Sequence, residues 1–218
     1  VKLRQTRIYR VRSDATMISA LVLAAGESRR MGRQKVLLPF GPSTILEEIL
    51  RAIEGSHVAE TIVVTGHNPT PIEALLIGRA VTVVHNEHYL DGGMLSSIRT
   101  GLRAVSPATT GVMLFLGDQP QVSTPLINHL SDAFTANEKQ ILVPVYEGRR
   151  GHPLLFDVGY RQTILEEFDD TGLRGLLRRH PDSVQEIPWD DARILNDLDT
   201  PEDYAKALPG TAPTKPTR

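Results

Sequence analysis

Short apolar runs alternate along the chain with stretches whose apolar positions recur every three or four residues. ISALVLA (18–24) is almost continuously apolar, as a strand covered on both faces must be. In 43–55, Ile45, Leu46, Ile49, Leu50 and Ile53 form a single helical stripe. Thr44 and Glu47 fit a capping box at its start, and Gly55 the position just past its end. TIVVTG (61–66), AVTVV (80–84) and GVMLFLG (111–117) read as further buried strands, separated by helical patterns near 70–77 and 94–105. Ser123 or Thr124 ahead of Pro125 opens a helix running to about Ala136. ILVPVY (141–146) and HPLLFDV (152–158) supply two later strands, helices follow near 160–168 and 171–179, and Thr200-Pro201-Glu202 opens a last one. This alternation predicts an α/β fold: one domain over 17–208, with a mostly parallel sheet and helices on both faces. Such sheets bind ligands at the carboxyl ends of their strands. The loops after Ala24, Thr65, Val84 and Leu116 are therefore where chemistry is expected.

Composition narrows the function. The 218 residues are 40% hydrophobic and 23% charged, which suits a folded body with a sizeable core rather than a disordered chain. Cysteine is absent, which excludes disulfides, thiolate metal sites and a cysteine nucleophile and agrees with a cytoplasmic location. No apolar run approaches the roughly 20 residues that span a bilayer, so no membrane partner is expected. The net charge of −2 conceals a division. Residues 1–16 carry five basic residues and one acid, 209–218 add Lys215 and Arg218, and 17–208 hold 17 basic against 25 acidic residues. The basic head lacks an apolar segment and is expected to be an extension rather than a secretory signal. The tail, with Pro209, Pro213 and Pro216, reads as a disordered end. A body this acidic cannot hold a nucleic-acid polymer through its overall field. An anion must be met by a local positive feature.

The loop after the first strand supplies one. Between Gly26 and Lys35 lie Arg29, Arg30, Arg33 and Lys35 against Glu27 alone. Ala24, Ala25 and Gly26 are small enough to let a ligand approach the backbone, and Gly26 and Gly32 permit φ values that turn successive N–H groups into an anion nest. Arg30 offers a guanidinium fork and Lys35 an ammonium. Other phosphate and nucleophile motifs fail on spacing. A Walker A loop needs four residues between its glycines, and five separate Gly26 from Gly32. Ser28 occupies the second glycine of a dinucleotide fingerprint, and Arg30 the last glycine of a nucleophile elbow.

Leu23-Ala24-Ala25-Gly26-Glu27-Ser28-Arg29-Arg30-Met31-Gly32-Arg33-Gln34-Lys35 resembles, at every specified position, the Leu-x-Ala-Gly-x-Ser-x-Arg-Met-Gly-x-x-Lys signature of MobA-like nucleotidyltransferases. The resemblance spans about 18–207. It implies a Rossmann-like three-layer α/β/α fold of the nucleotide-diphospho-sugar transferase type, with a mixed, mostly parallel sheet. It also implies transfer of a nucleoside monophosphate from an NTP to a phosphorylated acceptor. Ala25 stands where the GTP-using branch has Gly, which favours the molybdenum cofactor cytidylyltransferase branch, with CTP as donor and molybdopterin as acceptor.

Three further constellations join the loop. Gly117-Asp118-Gln119-Pro120 closes a buried strand, and a carboxylate there, beside a phosphate loop, is placed to hold Mg²⁺; a turn is the competing reading. The family's Gly-Asp-x-Pro segment carries its metal-binding Asp, which points to Asp118. The resemblance adds Asp199, just before Thr200-Pro201-Glu202, as a second metal contact, with Asp197 nearby. Gly93-Met94-Leu95-Ser96-Ser97 leads into a helix whose N-terminus suits an anion and resembles the branch's Gly-Met-x-Ser-Ser. Gly151-His152-Pro153 resembles an acceptor-side motif, with Arg149 or Arg150 available for the acceptor's charge and Gln119 nearby. The expected catalytic residues are Lys35, Arg30 and Asp118. The nucleotide is expected against Leu23, Ala24, Ala25, Gly26, Ser28, Gly32, Thr65, Gly66, Asn86, Gly93, Met94, Ser96, Ser97 and Gly117. Alternatives are a GTP-using enzyme, another phosphorylated acceptor, a non-catalytic cofactor-delivery protein in transient contact with a molybdenum enzyme or its chaperone, and an NAD(P)-linked oxidoreductase. His67, His85 and His88 lack metal-ligand spacing, and Trp189 reads as packing.

Overall fold

The computed structural model describes residues 16–136 and 139–208. The basic head to residue 15 and the tail from 209 lie outside them. The strands are β1 (Ile18–Ala24), β2 (Pro39–Phe40), β3 (Ser43–Thr44), β4 (Glu60–Thr65), β5 (Thr82–His85), β6 (Gly111–Leu116), β7 (Ile141–Tyr146), β8 (Arg149–Arg150), β9 (Leu154–Asp157) and β10 (Val184–Pro188). The helices are α1 (Ile45–Glu54), α2 (Pro69–Leu76), α3 (Gly93–Ala104), α4 (Thr124–Ala136), α5 (Arg161–Glu166), α6 (Arg174–Arg179) and α7 (Pro201–Ala207).

An eight-stranded sheet runs in the order β10-β7-β9-β6-β1-β4-β5, with β8 paired to β7. β1 pairs in parallel with β4 on one side and β6 on the other, so Val22 lies between Val63 and Phe115. β9 runs antiparallel to both β6 and β7, making the sheet mixed. The expected α/β/α layering follows from the alternation along each strand. Val22, Val63 and Met113 face one layer of buried side chains with Ile49 and Leu50 of α1, Ile72 of α2 and Leu130 and Phe134 of α4. Leu21, Val64 and Leu114 face the other, with Ile98 and Leu102 of α3, Ile164 of α5 and Leu176 of α6.

The caps form as the sequence requires. Thr44 and Glu47 make the reciprocal capping box of α1, and Thr200 makes one with Asp203 at α7. Several elements differ from the reading of the sequence, β8 among them, since no strand is anticipated at 149–150. β10 and the short β2–β3 hairpin form where no strand is anticipated, and α6 begins at Arg174, after Gly172 turns the chain at φ +60°. No helix among the described residues is long and apolar enough to cross a membrane.

Candidate functional site

The carboxyl ends of β1 and β6 are joined by a hydrogen bond from the Gly117 N–H to the Leu23 carbonyl, 3.0 Å. Gly117 has no room for more: a Cβ there would lie 2.3 Å from that same carbonyl oxygen. This tight seam sets the strand-end loops side by side. Between them and the start of α3 opens a cavity of about 450 Å³, within the usual range for small-molecule sites.

Its floor and walls include Leu23, Ala24, Ala25, Gly26, Ser28, Arg30 and Lys35 from the first loop, Gly93, Met94 and Ser97 from α3, and Gly117, Asp118 and Asp199. The loop is shaped by Ser28. Its backbone takes φ 53°, its carbonyl accepts from the Met31 N–H at 2.8 Å, and its Oγ accepts from the Lys35 N–H at 3.0 Å. Gly32 adopts φ +66°, but Gly26 does not enter the left-handed region. The turn expected of Gly26 is made two residues later, where the seryl hydroxyl stabilises it.

Lys35 is the centre of the charge arrangement. Its side chain is only 10% exposed, and Nζ donates to Asp118 Oδ2 at 3.0 Å and Asp199 Oδ1 at 3.1 Å. Arg30 reaches the other Asp199 oxygen at 3.0 Å. Partial burial pushes the Asp199 carboxyl up, but hydrogen bonding and charge from Lys35, then Arg30, outweigh it and hold the pKa below the usual carboxylate range. Asp197 behaves in the opposite way. Desolvation of its carboxylate and the nearby Asp118 and Asp199 raise its pKa against the pull of Gln119 and Lys35.

The two acidic loops are stitched together. Gln119 Nε2 donates to Asp197 Oδ1 at 2.7 Å, the Leu198 N–H donates to the Asp118 carbonyl at 3.1 Å, and Asn196 Nδ2 donates to Gln121 Oε1 at 3.3 Å. The Gln119 side chain thus orients an acidic neighbour, and it does not line the cavity.

Several expected residues stand behind the wall. Asn86, 1% exposed, donates to Ser96 Oγ at 2.8 Å and Ser97 Oγ at 3.0 Å, and so fixes the first turn of α3. Ser96 Oγ donates in turn to the Gly93 carbonyl. Thr65 is buried, and Gly66 packs so closely that a Cβ would lie 2.8 Å from the Cβ of Ala25 and 2.7 Å from that of Tyr89. Arg150 is engaged with Glu186 at 2.8 Å. Gly151 and His152 hold the adjoining loop through backbone bonds to Pro144 and Ile194. His152 Nδ1 is buried without a hydrogen-bond partner. Burial lowers the His152 pKa, Asp118 opposes that shift and Arg174 adds to it. Glu27, Met31, Val36, Tyr89 and Leu116 also line the cavity. Sequence reasoning assigned them no role; Glu27 and Met31, inside the signature, were the ones open to it.

The donor set can be tested against a hard cation. No cluster of three or more His, Cys, Asp or Glu suited to a metal occurs among the described residues. Asp118 and Asp199 nevertheless converge on one cation, the Lys35 ammonium, which stands in for a positive ion between them. Two carboxylates completed by phosphate oxygens and water suit Mg²⁺ or a similar ion.

A mixed, mostly parallel sheet, a positive loop at the carboxyl edge of its central strand and paired carboxylates beside it suit a nucleotidyltransferase. Residues 20–184 match the MobA-like NTP transferase domain, and the chain belongs to that family. It is 28% identical over 192 residues to the molybdenum cofactor cytidylyltransferase of Escherichia coli (strain K12), covering 87% of this chain and 95% of that protein. It is 29% identical over 203 residues to the nicotine blue oxidoreductase of Paenarthrobacter nicotinovorans, covering 90% and 98%. Among solved structures, Rv0371c of Mycobacterium tuberculosis H37Rv superposes with a TM-score of 0.77 at 33% identity, covering 88% of this chain and 98% of that one. Rv0371c is also known in complex with manganese, and that structure superposes with a TM-score of 0.75 at 31% identity over the same shares.

Proposed function

We propose that the protein is a Mg²⁺-dependent cytidylyltransferase that moves CMP from CTP onto the terminal phosphate of molybdopterin in the cytoplasm. The observation that carries this reading is the convergence of Lys35, Arg30, Asp118 and Asp199 at one end of a cavity floored by the Leu23–Ser28 backbone.

An oxygen of the acceptor phosphate attacks the α-phosphorus of CTP. The bond from that phosphorus to the β-phosphate bridging oxygen breaks, and pyrophosphate leaves with the electron pair. The acceptor oxygen is already ionised at neutral pH, so no protein nucleophile or base is required. Lys35 and Arg30 neutralise triphosphate oxygens, and the small residues Ala24, Ala25 and Gly26 let the phosphates approach the main chain. Asp118 and Asp199 would hold the divalent ion, which supplies charge neutralisation at the transferred phosphate. Most of the rate enhancement comes from alignment and preset charge.

The preference for CTP rests on Ala25. Its methyl group is buried between the cavity and Gly66, where the GTP-using branch has glycine. Gly151, His152, Gln119 and Arg150 are assigned to the acceptor side, where Gln119 is hydrogen-bonded to Asp197 and Arg150 is paired with Glu186. After transfer, the product dinucleotide would pass to a molybdenum enzyme or its chaperone.

Similarity to nicotine blue oxidoreductase over 90% of the chain favours a second reading, hydride transfer with NAD(P)H. Against it, the first-strand loop has no Gly-x-Gly-x-x-Gly for the pyrophosphate of a dinucleotide. Incubation with CTP or GTP, Mg²⁺ and molybdopterin, followed by pyrophosphate detection, separates the readings. Release with CTP supports the cytidylyltransferase. Release with GTP alone reassigns the base, and no release with either nucleotide overturns transfer to molybdopterin.

A further inference from the structure

The Lys35 ammonium occupies the position a divalent ion would need. It lies 3.0 Å from one carboxylate and 3.1 Å from the other, on a side chain that is 10% exposed. An ion entering between Asp118 and Asp199 would meet this like charge at contact range, in surroundings that screen it poorly. The backbone of Lys35 is held beside the two carboxylates, so a displaced ammonium stays within reach of the same cavity. The Lys35 N–H is tied to Ser28 Oγ, and the neighbouring Gln34 is anchored through Nε2 to the His67 and Asn68 carbonyls. The same cavity offers the ammonium another set of partners once a triphosphate lies along the Leu23–Ser28 backbone. Phosphate oxygens can then replace the carboxylates around it.

We infer that Lys35 is a cationic latch on the metal site: in the nucleotide-free protein it neutralises Asp118 and Asp199 and holds the divalent ion out, and an incoming triphosphate draws it away so that ion and nucleotide enter together. The inference rests on the reading of Asp118 and Asp199 as the metal pair. Its consequence is positive coupling between ion and nucleotide, reciprocal by thermodynamic necessity. The bare protein is kept from loading an ion without its substrate.

The test is Mn²⁺ binding to the full chain without nucleotide, read from the loss of the free-ion electron paramagnetic resonance signal. Wild type is compared with Lys35→Met, with Lys35→Gln, and with each of these combined with Asp118→Asn. Lys35→Gln keeps a hydrogen-bond donor between the carboxylates and serves if the methionine variant fails to fold. The expected result is Mn²⁺ affinity at least about tenfold tighter in the neutral variants than in wild type, with the gain lost when Asp118→Asn is added. Equal or weaker binding in the neutral variants overturns the latch. If Asp118→Asn still lowers their affinity, the metal assignment survives that result. Binding indifferent to Asp118→Asn throughout overturns the latch and the metal assignment together. Transfer activity is read separately by pyrophosphate release, so a protein that binds Mn²⁺ as expected but releases none retains the latch and loses the cytidylyltransferase reading.

Discussion

Two neighbouring glycines, Gly117 and Gly26, should respond oppositely to the same substitution. At Gly117 an added Cβ would lie 2.3 Å from the Leu23 carbonyl oxygen and 3.0 Å from Val36 Cγ1. The obstacle is main chain that already accepts the Gly117 N–H, so it cannot rotate away. Restoring normal contact requires about 1 Å of separation between the ends of β1 and β6. That costs roughly 0.5–1.5 kcal/mol if the hydrogen bond is lost, and roughly 1–3 kcal/mol of overpacking strain. Alanine's lower freedom in the unfolded chain offsets about 0.4–1 kcal/mol. Gly117→Ala should therefore lose about 0.5–4 kcal/mol in urea denaturation. Because Asp118 is the next residue, the same shift should lower kcat on the order of 100-fold, the usual consequence of a 1 Å misplacement. At Gly26 nothing lies within 4 Å of a Cβ, and its φ is outside the left-handed region. Gly26→Ala should stabilise slightly, by about 0.4–1 kcal/mol, while raising the KM for the nucleotide. Both are measured by urea titration and pyrophosphate release. A Gly117→Ala protein with wild-type midpoint and kcat would refute the seam argument, as would a Gly26→Ala protein destabilised as much as Gly117→Ala.

Asp118→Asn should abolish pyrophosphate release while leaving the circular dichroism spectrum native; near-normal turnover would exclude Asp118 as a metal ligand. Asp197→Asn keeps an acceptor for Gln119 and removes the charge whose pKa is raised. It should raise the Tm slightly at neutral pH, and the gain should begin to shrink as pH falls through the raised folded-state pKa and be gone only below the ordinary carboxylate pKa of the unfolded chain. An unchanged gain in acid would contradict this origin. Burial lowers the His152 pKa, so below about pH 6.5 the unfolded chain takes up a proton that the folded one resists, and stability falls with pH. Urea midpoints at about pH 7.5 and about pH 5.5 should therefore lie closer together in His152→Gln than in wild type. His180, also shifted down by burial, accounts for part of what remains.

Much of the fold is legible in local pattern because the central strands are covered on both faces. ISALVLA and GVMLFLG need only their apolar runs to declare themselves. The segment VQEIP does not, since β10 is an edge strand with one buried residue and exists through its pairing with β7. Nor does HPLLFDV reveal its direction: an apolar run reads the same parallel or antiparallel, and the reversal of β9 is decided by β6 and β7 on either side. The first-loop residues can be picked out from their charge and place after the first strand, and Asp118 through the resemblance of Gly117-Asp118-Gln119-Pro120 to the family's segment. Their geometry cannot, because Lys35 meets carboxylates 83 and 164 positions further along the chain. Asn86 is anticipated against the nucleotide; what only packing reveals is that its buried amide supports two serines from behind.

The stitches between the Gly117–Gln121 and Asn196–Asp199 loops carry a consequence for synthesis. A nascent chain that has emerged only as far as residue 190 already contains every strand of the sheet and the whole first loop, but Lys35 can meet only Asp118. The second carboxylate follows only when the Asn196–Asp199 loop emerges. Termination just before it would yield a body with a complete sheet but without the Lys35–Asp199 ion pair, so the charge constellation also marks whether translation has passed residue 199.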